Sequence, residues 1–215
     1  MRQWLARMVI LRPIPPLILG NAEHETLEPH PQATDLGAWF SGLLAFRPSA
    51  YTKIAEYLKL VIPDLEDIRN PLAGGESRRL EVQFTSNPVP GTVCLQFQDL
   101  SDGEKCFMIW ALVLAANDAH GPIVCFWDEP DNYLALSEVG HFVMALRKAF
   151  QSGGQLIATS HQPEAIRSFS DENTFYLARK SHLEPTVIRP LAELRSGGNI
   201  VGDLVNALIP GDVEP

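Results

Sequence analysis

The sequence predicts an α/β protein with a mostly parallel sheet flanked by helices and with a small helical appendage. Short unbroken apolar runs, typical of strands buried on both faces, recur in the second half of the chain. They alternate with segments of helical periodicity, which is the pattern of a parallel sheet. With 215 residues, 46% of them hydrophobic, the chain is long enough to bury a core.

Residues 1–79 are predicted to form a strand, a loop and a helical arm. An apolar run near residue 10 indicates a strand, followed by a proline-rich loop to Gly20. Residues 20–34 are polar with two prolines and are expected to be a connector. Helical patterns span 34–47 and 51–61, each ended by a proline, and 71–76 is a predicted turn.

Residues 80–215 are predicted to form the main α/β lobe. Period-two alternation over 80–84 and 93–97, around a turn rich in proline and glycine, predicts a hairpin. The elements predicted after it are helix 104–117, strand 122–127, helix 134–151, strand 155–159, helix 163–169, strands 174–177 and 186–188, and a terminal helix 200–209.

Charge and cysteine usage narrow the class of protein. A net charge of −9 argues against a broad nucleic-acid surface, although a local basic patch stays open. Cys94, Cys106 and Cys125 lie in apolar contexts without CxxC spacing, which predicts reduced core thiols. No apolar segment approaches the roughly 18 residues of a membrane helix, and prolines interrupt the only candidate signal peptide. A cytoplasmic protein without a membrane partner is expected.

Two adjacent acids, Asp128 and Glu129, follow directly on the apolar run 123–127. Open α/β sheets bind ligands at the carboxyl ends of their strands, which is where this pair is predicted to lie. Adjacent carboxylates repel, so a buried pair requires a cation or a proton. In nucleotide hydrolysis the first acid can hold a magnesium ion and the second can position the attacking water. The alternative is a strand that ends in a surface turn.

Two further segments carry polar groups at element ends. Ser101 and Gly103 open a predicted helix, where backbone N–H groups and the helix dipole favour anions such as phosphate. The alternative there is a capping box between Ser101 and Glu104. His161 follows strand 155–159 and could donate a hydrogen bond to a γ-phosphate or to the attacking water. The alternative is a structural histidine.

The order of these motifs resembles the carboxyl-terminal half of an ABC-class ATPase, with LSDGEK as signature, IVCFWDEP as Walker B and TSH as switch histidine. Within that class the chain is similar to the RecF-, SMC- and OLD-like members of the AAA family, several of which act in DNA repair or anti-phage defence. The resemblance covers about Leu80 to Leu191. It implies a P-loop NTPase lobe of ABC type over 80–215, with 1–79 as the remnant of a helical arm.

The sequence departs from that family in two places. It contains no GxxxxGK[ST], so the Walker A loop that cradles phosphates is missing. Asp131 and Asn132 follow the acid pair in place of the usual Ser-Ala-Leu-Asp, which puts their role at a dimer interface in doubt. Three explanations stay open for the missing loop: a truncated chain, a misassigned start, or one piece of a split ATPase.

The resemblance implies ATP and Mg²⁺ as ligands and assigns roles to six residues. Asp128 would hold the metal, while Glu129 and His161 would be catalytic beside a Walker A loop from elsewhere. Ser101 and Gly103 would contact the nucleotide of a second ATPase head. Lys105 is a candidate for phosphate binding, with a solvated helix lysine as the alternative.

The implied partners are that second head, a lobe bearing Walker A, and a nuclease or DNA. In this reading the chain is an ATP hydrolase lobe that is inactive alone. The alternative function is a degenerate, non-hydrolysing module that keeps the ABC fold for partner contacts.

Overall fold

The computed structural model describes residues 7–86, 91–119, 121–151, 153–169, 173–179 and 181–194. The chain divides into two compact units, Met1–Ser160 and His161–Pro215, here called the first and second unit. The predicted terminal helix 200–209 lies outside the described residues. No helix in the described ranges has the length and apolarity needed to cross a membrane.

The strands of the first unit are β1 (Met8–Leu11), β2 (Asn21–Ala22), β3 (Leu65–Arg69), β4 (Leu72–Gly74), β5 (Ser77–Arg79), β6 (Glu81–Ser86), β7 (Gly91–Gln96), β8 (Val124–Trp127) and β9 (Gln155–Ala158). Its α-helices are α1 (Leu36–Phe46), α2 (Ala50–Val61), α3 (Asp102–Ala119) and α4 (Leu136–Gln151). The second unit contains α5 (Pro163–Phe169), β10 (Phe175–Ala178) and β11 (Val187–Pro190).

A three-stranded parallel sheet in the order β1-β8-β9 forms the centre of the first unit. On one face of the sheet the side chains of β1 and β8 are buried, namely Val9, Leu11, Cys125 and Trp127. Ile10 and Phe126 on the other face are exposed, and no residue of β9 is buried, so the prediction of strands buried on both faces is wrong here. The predicted α/β fold with a parallel sheet is confirmed.

Helix α3 lies in the core and is buried on every side from Lys105 to Asn117. It packs against α1, α2 and α4. Phe142 of α4 connects it to the sheet, because its ring lies 4.5 Å from the Trp110 ring and edge-on to the Trp127 ring at 6.2 Å. A helix that is apolar all round has no solvent face to present, which explains its central position.

The remaining strands that the structure describes are antiparallel, which confines the predicted parallel sheet to three strands. Strands β6 and β7 form the predicted hairpin, with Glu81 opposite Gln96. Strand β3 adds to β6, so segments before and after residue 80 share one sheet. Strands β2, β5 and β4 make a small sheet from regions predicted to be loop and turn.

The prediction of three core thiols is correct for two cysteines and wrong for one. Cys106 and Cys125 are buried in α3 and β8, whereas Cys94 is exposed on β7. β7 is the outer strand of the β3-β6-β7 sheet and none of its residues is buried, so Cys94 is exposed together with its neighbours.

Candidate functional site

Polar side chains follow β8 and β9 at the same edge of the parallel sheet. The Asp128 N–H donates to the Leu11 carbonyl at 2.8 Å, and the Thr159 N–H donates to the Trp127 carbonyl at 3.1 Å. The ladder therefore continues one residue beyond each strand. It places Asp128 and Glu129 beside Thr159, at the carboxyl edge where the sequence predicts a ligand site.

One hydroxyl connects both acids to the neighbouring strand. Thr159 Oγ1 donates to Asp128 Oδ1 at 2.6 Å and accepts the Glu129 N–H at 3.0 Å. Glu129 has a left-handed backbone with φ of 50°, which is uncommon for a residue other than glycine. Sequence reasoning assigned no role to Thr159; the available signal was a polar residue directly after a short apolar run that predicts a strand.

Two more hydrogen bonds hold the loop that follows the acids. Asn132 Nδ2 donates to Glu129 Oε2 at 2.5 Å, and Ser160 Oγ donates to Asp131 Oδ2 at 2.7 Å. Asp131 is buried, with 1% of its surface exposed. Asn132 thus contacts the acid pair, and Asp131 contacts Ser160 just after β9.

The acid pair is not a buried pair. Asp128 is exposed and Glu129 half-buried, so the predicted need for a cation or proton to make burial tolerable does not arise. Arg12, just beyond β1, places its Nε 3.4 Å from Asp128 Oδ2. Its side chain is 80% exposed, and an ion pair so open to water holds the carboxylate only weakly. Sequence reasoning missed Arg12, which follows its strand as Asp128 follows β8.

Asp128 suits a magnesium ion only as a single protein ligand. The described part of the chain contains no group of three or more His, Cys, Asp or Glu able to hold a metal. Magnesium commonly binds through one or two carboxylates and is completed by waters and substrate phosphates. The single exposed carboxylate of Asp128 fits that mode.

Ser101 forms the capping box that the sequence offered as the alternative. The Ser101 N–H and Oγ both donate to Glu104 Oε2, at 2.8 and 2.7 Å, and the Glu104 N–H donates to Ser101 Oγ at 3.3 Å. The residue is exposed at the start of α3. These bonds satisfy free backbone donors of the first turn. Ser101 itself lies on the surface.

Gly103 lies under the backbone of the loop after the acid pair. A Cβ at this position would be 3.1 Å from the Tyr133 carbonyl oxygen. A side chain would require that backbone to shift by a few tenths of an ångström, so close packing favours glycine here.

An open cleft of about 530 Å³ lies beside Ser101 and Gly103, between the end of α2, the start of α3 and the start of α4. The charged residues among the described ones that line it are Asp64, Glu104 and Glu138, all acidic. A polyanion such as a triphosphate would meet repulsion here. A phosphate at Ser101 therefore requires cations from outside this lining.

Lys105 is not the solvated helix lysine that the sequence offered as its alternative role. It is buried, with 5% of its surface exposed, and its Nζ donates to the Pro15 carbonyl at 3.3 Å. The reason is the all-round burial of α3, which leaves no solvent face at this position. Its role in phosphate binding stays a prediction.

His161 follows β9 by three residues and is the first residue of the second unit. Its side chain is exposed. Strands β8 and β9 are neighbours, as the motif order predicts. A contact between His161 and a phosphate stays a prediction.

Solved structures with a similar fold include heads of SMC ATPases. A chain described under "Structural biochemistry of ATP-driven dimerization and DNA stimulated activation of SMC ATPases" is 13% identical, with a TM-score of 0.56 over 78% of this chain and 96% of that one. The chain shares the fold of SMC ATPase heads. The Smc head domain with a coiled coil and joint from Pyrococcus yayanosii is 15% identical, with a TM-score of 0.57 over 80% of this chain and 31% of that one.

A third structure, the SmcHead bound to the C-winged helix domain of ScpA, is 14% identical, with a TM-score of 0.53 over 74% of this chain and 46% of that one. The chain thus spans less than half of the length of the Pyrococcus yayanosii chain and of the ScpA-bound SmcHead chain. No protein-family model and no curated protein matches it. At these identities the likeness establishes the fold, and the resemblance to SMC-type ATPases in the sequence motifs agrees with it.

Proposed function

We propose that this chain is the ATP-binding and ATP-hydrolysing lobe of an ABC-type ATPase head, active when a lobe bearing Walker A completes the site. The observation that carries the proposal is the acid pair Asp128-Glu129 at the carboxyl end of β8, tied to the end of β9 by Thr159. The SMC-head fold supports it.

In this proposal the chemistry is hydrolysis of the γ-phosphate of ATP. Glu129 orients a water and accepts its proton as the water oxygen attacks the γ-phosphorus. The bond to the β–γ bridging oxygen breaks, and ADP leaves with that oxygen. Asp128 would hold Mg²⁺, which when bound neutralises phosphate charge, and His161 would donate a hydrogen bond to the γ-phosphate.

Ser101 and Gly103 would act on the nucleotide held by a second head. Both lie at the exposed start of α3, where N–H groups and the helix dipole favour an anion. The acidic lining beside them opposes a phosphate on this chain alone. A second head that brings a Walker A lysine and Mg²⁺ with its nucleotide would supply the missing cations. This requirement favours an ATP-dependent dimer.

The pathway we propose is DNA repair or anti-phage defence in the cytoplasm, with a nuclease or DNA as partner. The motif resemblance supports this, as do related heads described with ATP-driven dimerization and DNA stimulated activation. The net charge of −9 assigns any broad DNA contact to another part of the assembly. The second candidate, a non-hydrolysing interaction module, is favoured by the acidic cleft and by the missing Walker A.

Reconstitution tests the hydrolytic function. We expect no phosphate release from the chain alone and Mg²⁺-dependent release when a purified lobe bearing GxxxxGK[ST] from an SMC-type head is added. Glu129→Gln should abolish turnover and retain nucleotide, because the carboxylate serves the chemical step. Glu56→Gln, the same charge change on an exposed position of α2, is the matched control. Turnover by the chain alone that disappears in Glu129→Gln would contradict the half-enzyme.

Substitution at Ser101 tests the action on a second head. Ser101→Arg should block ATP-dependent dimerisation of the completed head, measured by light scattering, because a bulky cation cannot fit against the partner's phosphate. Ser101→Ala removes the cap and should cost about 1 kcal/mol of unfolding free energy in urea. Dimerisation that survives Ser101→Arg would leave the serine with its capping role alone.

A further inference from the structure

We infer that Thr159 is a positioning residue that sets both acids of the site through one hydroxyl. Its Oγ1 lies 2.6 Å from Asp128 Oδ1 and 3.0 Å from the Glu129 nitrogen. The inference rests on the proposed function for its catalytic meaning, although the geometry stands without it.

The direction of the two bonds follows from what each group can do. A carboxylate accepts and a backbone N–H donates, so the hydroxyl must give its single proton to Asp128 and offer a lone pair to Glu129. Its orientation is thereby fixed from both sides. Valine, which has the same shape, cannot make either bond, whereas serine can make both.

The bond to Glu129 acts on an unusual backbone. A glutamate with φ of 50° persists only where its surroundings favour that conformation. The Thr159 hydroxyl accepts the N–H of this residue, and Asn132 holds its carboxylate. Loss of the hydroxyl would free the peptide to relax, which would turn the Glu129 side chain away from its present direction.

The bond to Asp128 acts on the other acid. It fixes the direction of the carboxylate through Oδ1, while Oδ2 lies 3.4 Å from Arg12 Nε. Thr159 thus sets the orientation of the proposed metal ligand while it holds the water-positioning residue beside it. Supporting residues of this kind commonly change affinity or activity by about 10- to 100-fold when removed.

Amide hydrogen exchange in the full chain tests the geometry without any activity. The Glu129 amide should be protected from exchange in the wild type. In Thr159→Val its exchange should be at least about tenfold faster, because the acceptor is lost, and Thr159→Ser should restore the protection. Thr85→Val, the same change on the exposed end of β6, is the matched control. An unprotected Glu129 amide in the wild type, which needs no variant to fold, would overturn the inference, as would unchanged exchange in Thr159→Val.

Turnover of the completed head tests the catalytic meaning. Thr159→Val should lower kcat by about 10- to 100-fold with KM for ATP little changed, and Thr159→Ser should restore it. Wild-type kcat in Thr159→Val would overturn the positioning role. A completed wild-type head without turnover would remove the proposed function, and the amide exchange would still decide whether Thr159 fixes the two acids.

Discussion

Lys105 lies in the interior although its motif places it beside a candidate phosphate site. Its ammonium donates to the Pro15 carbonyl, which belongs to a 3₁₀ turn at Pro15–Leu17 after β1. A buried ammonium is tolerable only when it is hydrogen-bonded, because its loss of hydration is costly. Lys105 therefore connects the start of α3 to the segment that follows the edge strand of the parallel sheet.

Replacing Lys105 should destabilise the fold. We expect Lys105→Ala to lower the unfolding free energy by about 2 kcal/mol, because a charged hydrogen bond and the packing of its aliphatic stem are lost. Lys148→Ala, at the exposed end of α4, should stay within about 0.5 kcal/mol of the wild type. Urea unfolding of both variants measures the difference. Equal stability of the two would indicate that the Lys105 ammonium reaches water.

At the level of elements, Asn117 joins the ends of three secondary-structure elements in the first unit. Its Nδ2 donates to the carbonyls of Ala149 and Gly153 at 3.2 and 3.1 Å, and its Oδ1 accepts the Ile123 N–H at 3.0 Å. A Cβ on Gly154, which has φ of 90°, would be 2.5 Å from that Oδ1. Asn117 thus fixes the end of α3 against the end of α4 and the start of β8.

Asn117→Leu should therefore be strongly destabilising. The substitution keeps the volume, removes the donor to two carbonyls and leaves the buried Ile123 N–H without its Asn117 acceptor, which alone costs about 1–3 kcal/mol. We expect a loss of at least about 2 kcal/mol by chemical denaturation. Asp118→Asn, on the exposed neighbour, should be within about 0.5 kcal/mol of the wild type. A small effect of Asn117→Leu would mean that water replaces the amide.

At the scale of the whole molecule, the buried core shields two of the three cysteines. Burial raises the pKa of the Cys106 and Cys125 thiols from 9.0 to about 12. Cys94 is exposed, and its pKa is raised first by desolvation and then by the neighbouring Glu81 carboxylate. Thiolate is the reactive form, so accessibility and pKa both direct reagents to Cys94.

A thiol assay reads out the integrity of the core. At pH 8 we expect one fast-reacting thiol in the native wild-type chain and three after it is denatured. Native Cys94→Ser should have no fast-reacting thiol. Above pH 9 the unfolded chain loses its thiol protons while the folded one keeps them. The stability contributed by Cys106 and Cys125 is therefore complete below about pH 9 and lost as pH rises towards 12. Two fast thiols in native Cys94→Ser would contradict the buried core.

Sequence patterns located most of the elements, because burial leaves a periodic mark on the chain. The hairpin β6–β7, the helices α1 to α5 and strands β8 and β9 follow from apolar spacing and from proline or glycine at their ends. Strand β3 was not predicted. Its sequence LEDIR carries three charges, and only Leu65 and Ile68 point inward. Pairing with β6 determines it, and a pairing partner leaves no local signal.

The sequence by itself determined the chemistry that is available: the acid pair at a strand end, the serine and glycine at a helix start, and the α/β class. Each depends on residues that are near one another in the chain. The tertiary structure alone decided that Asp128 is exposed, that Lys105 is buried, and that Arg12 and Thr159 join the site. Thr159 lies 31 residues from Asp128 along the chain. Only the parallel pairing of β8 with β9 brings the two within hydrogen-bonding distance, because it aligns the carboxyl ends of both strands at one edge.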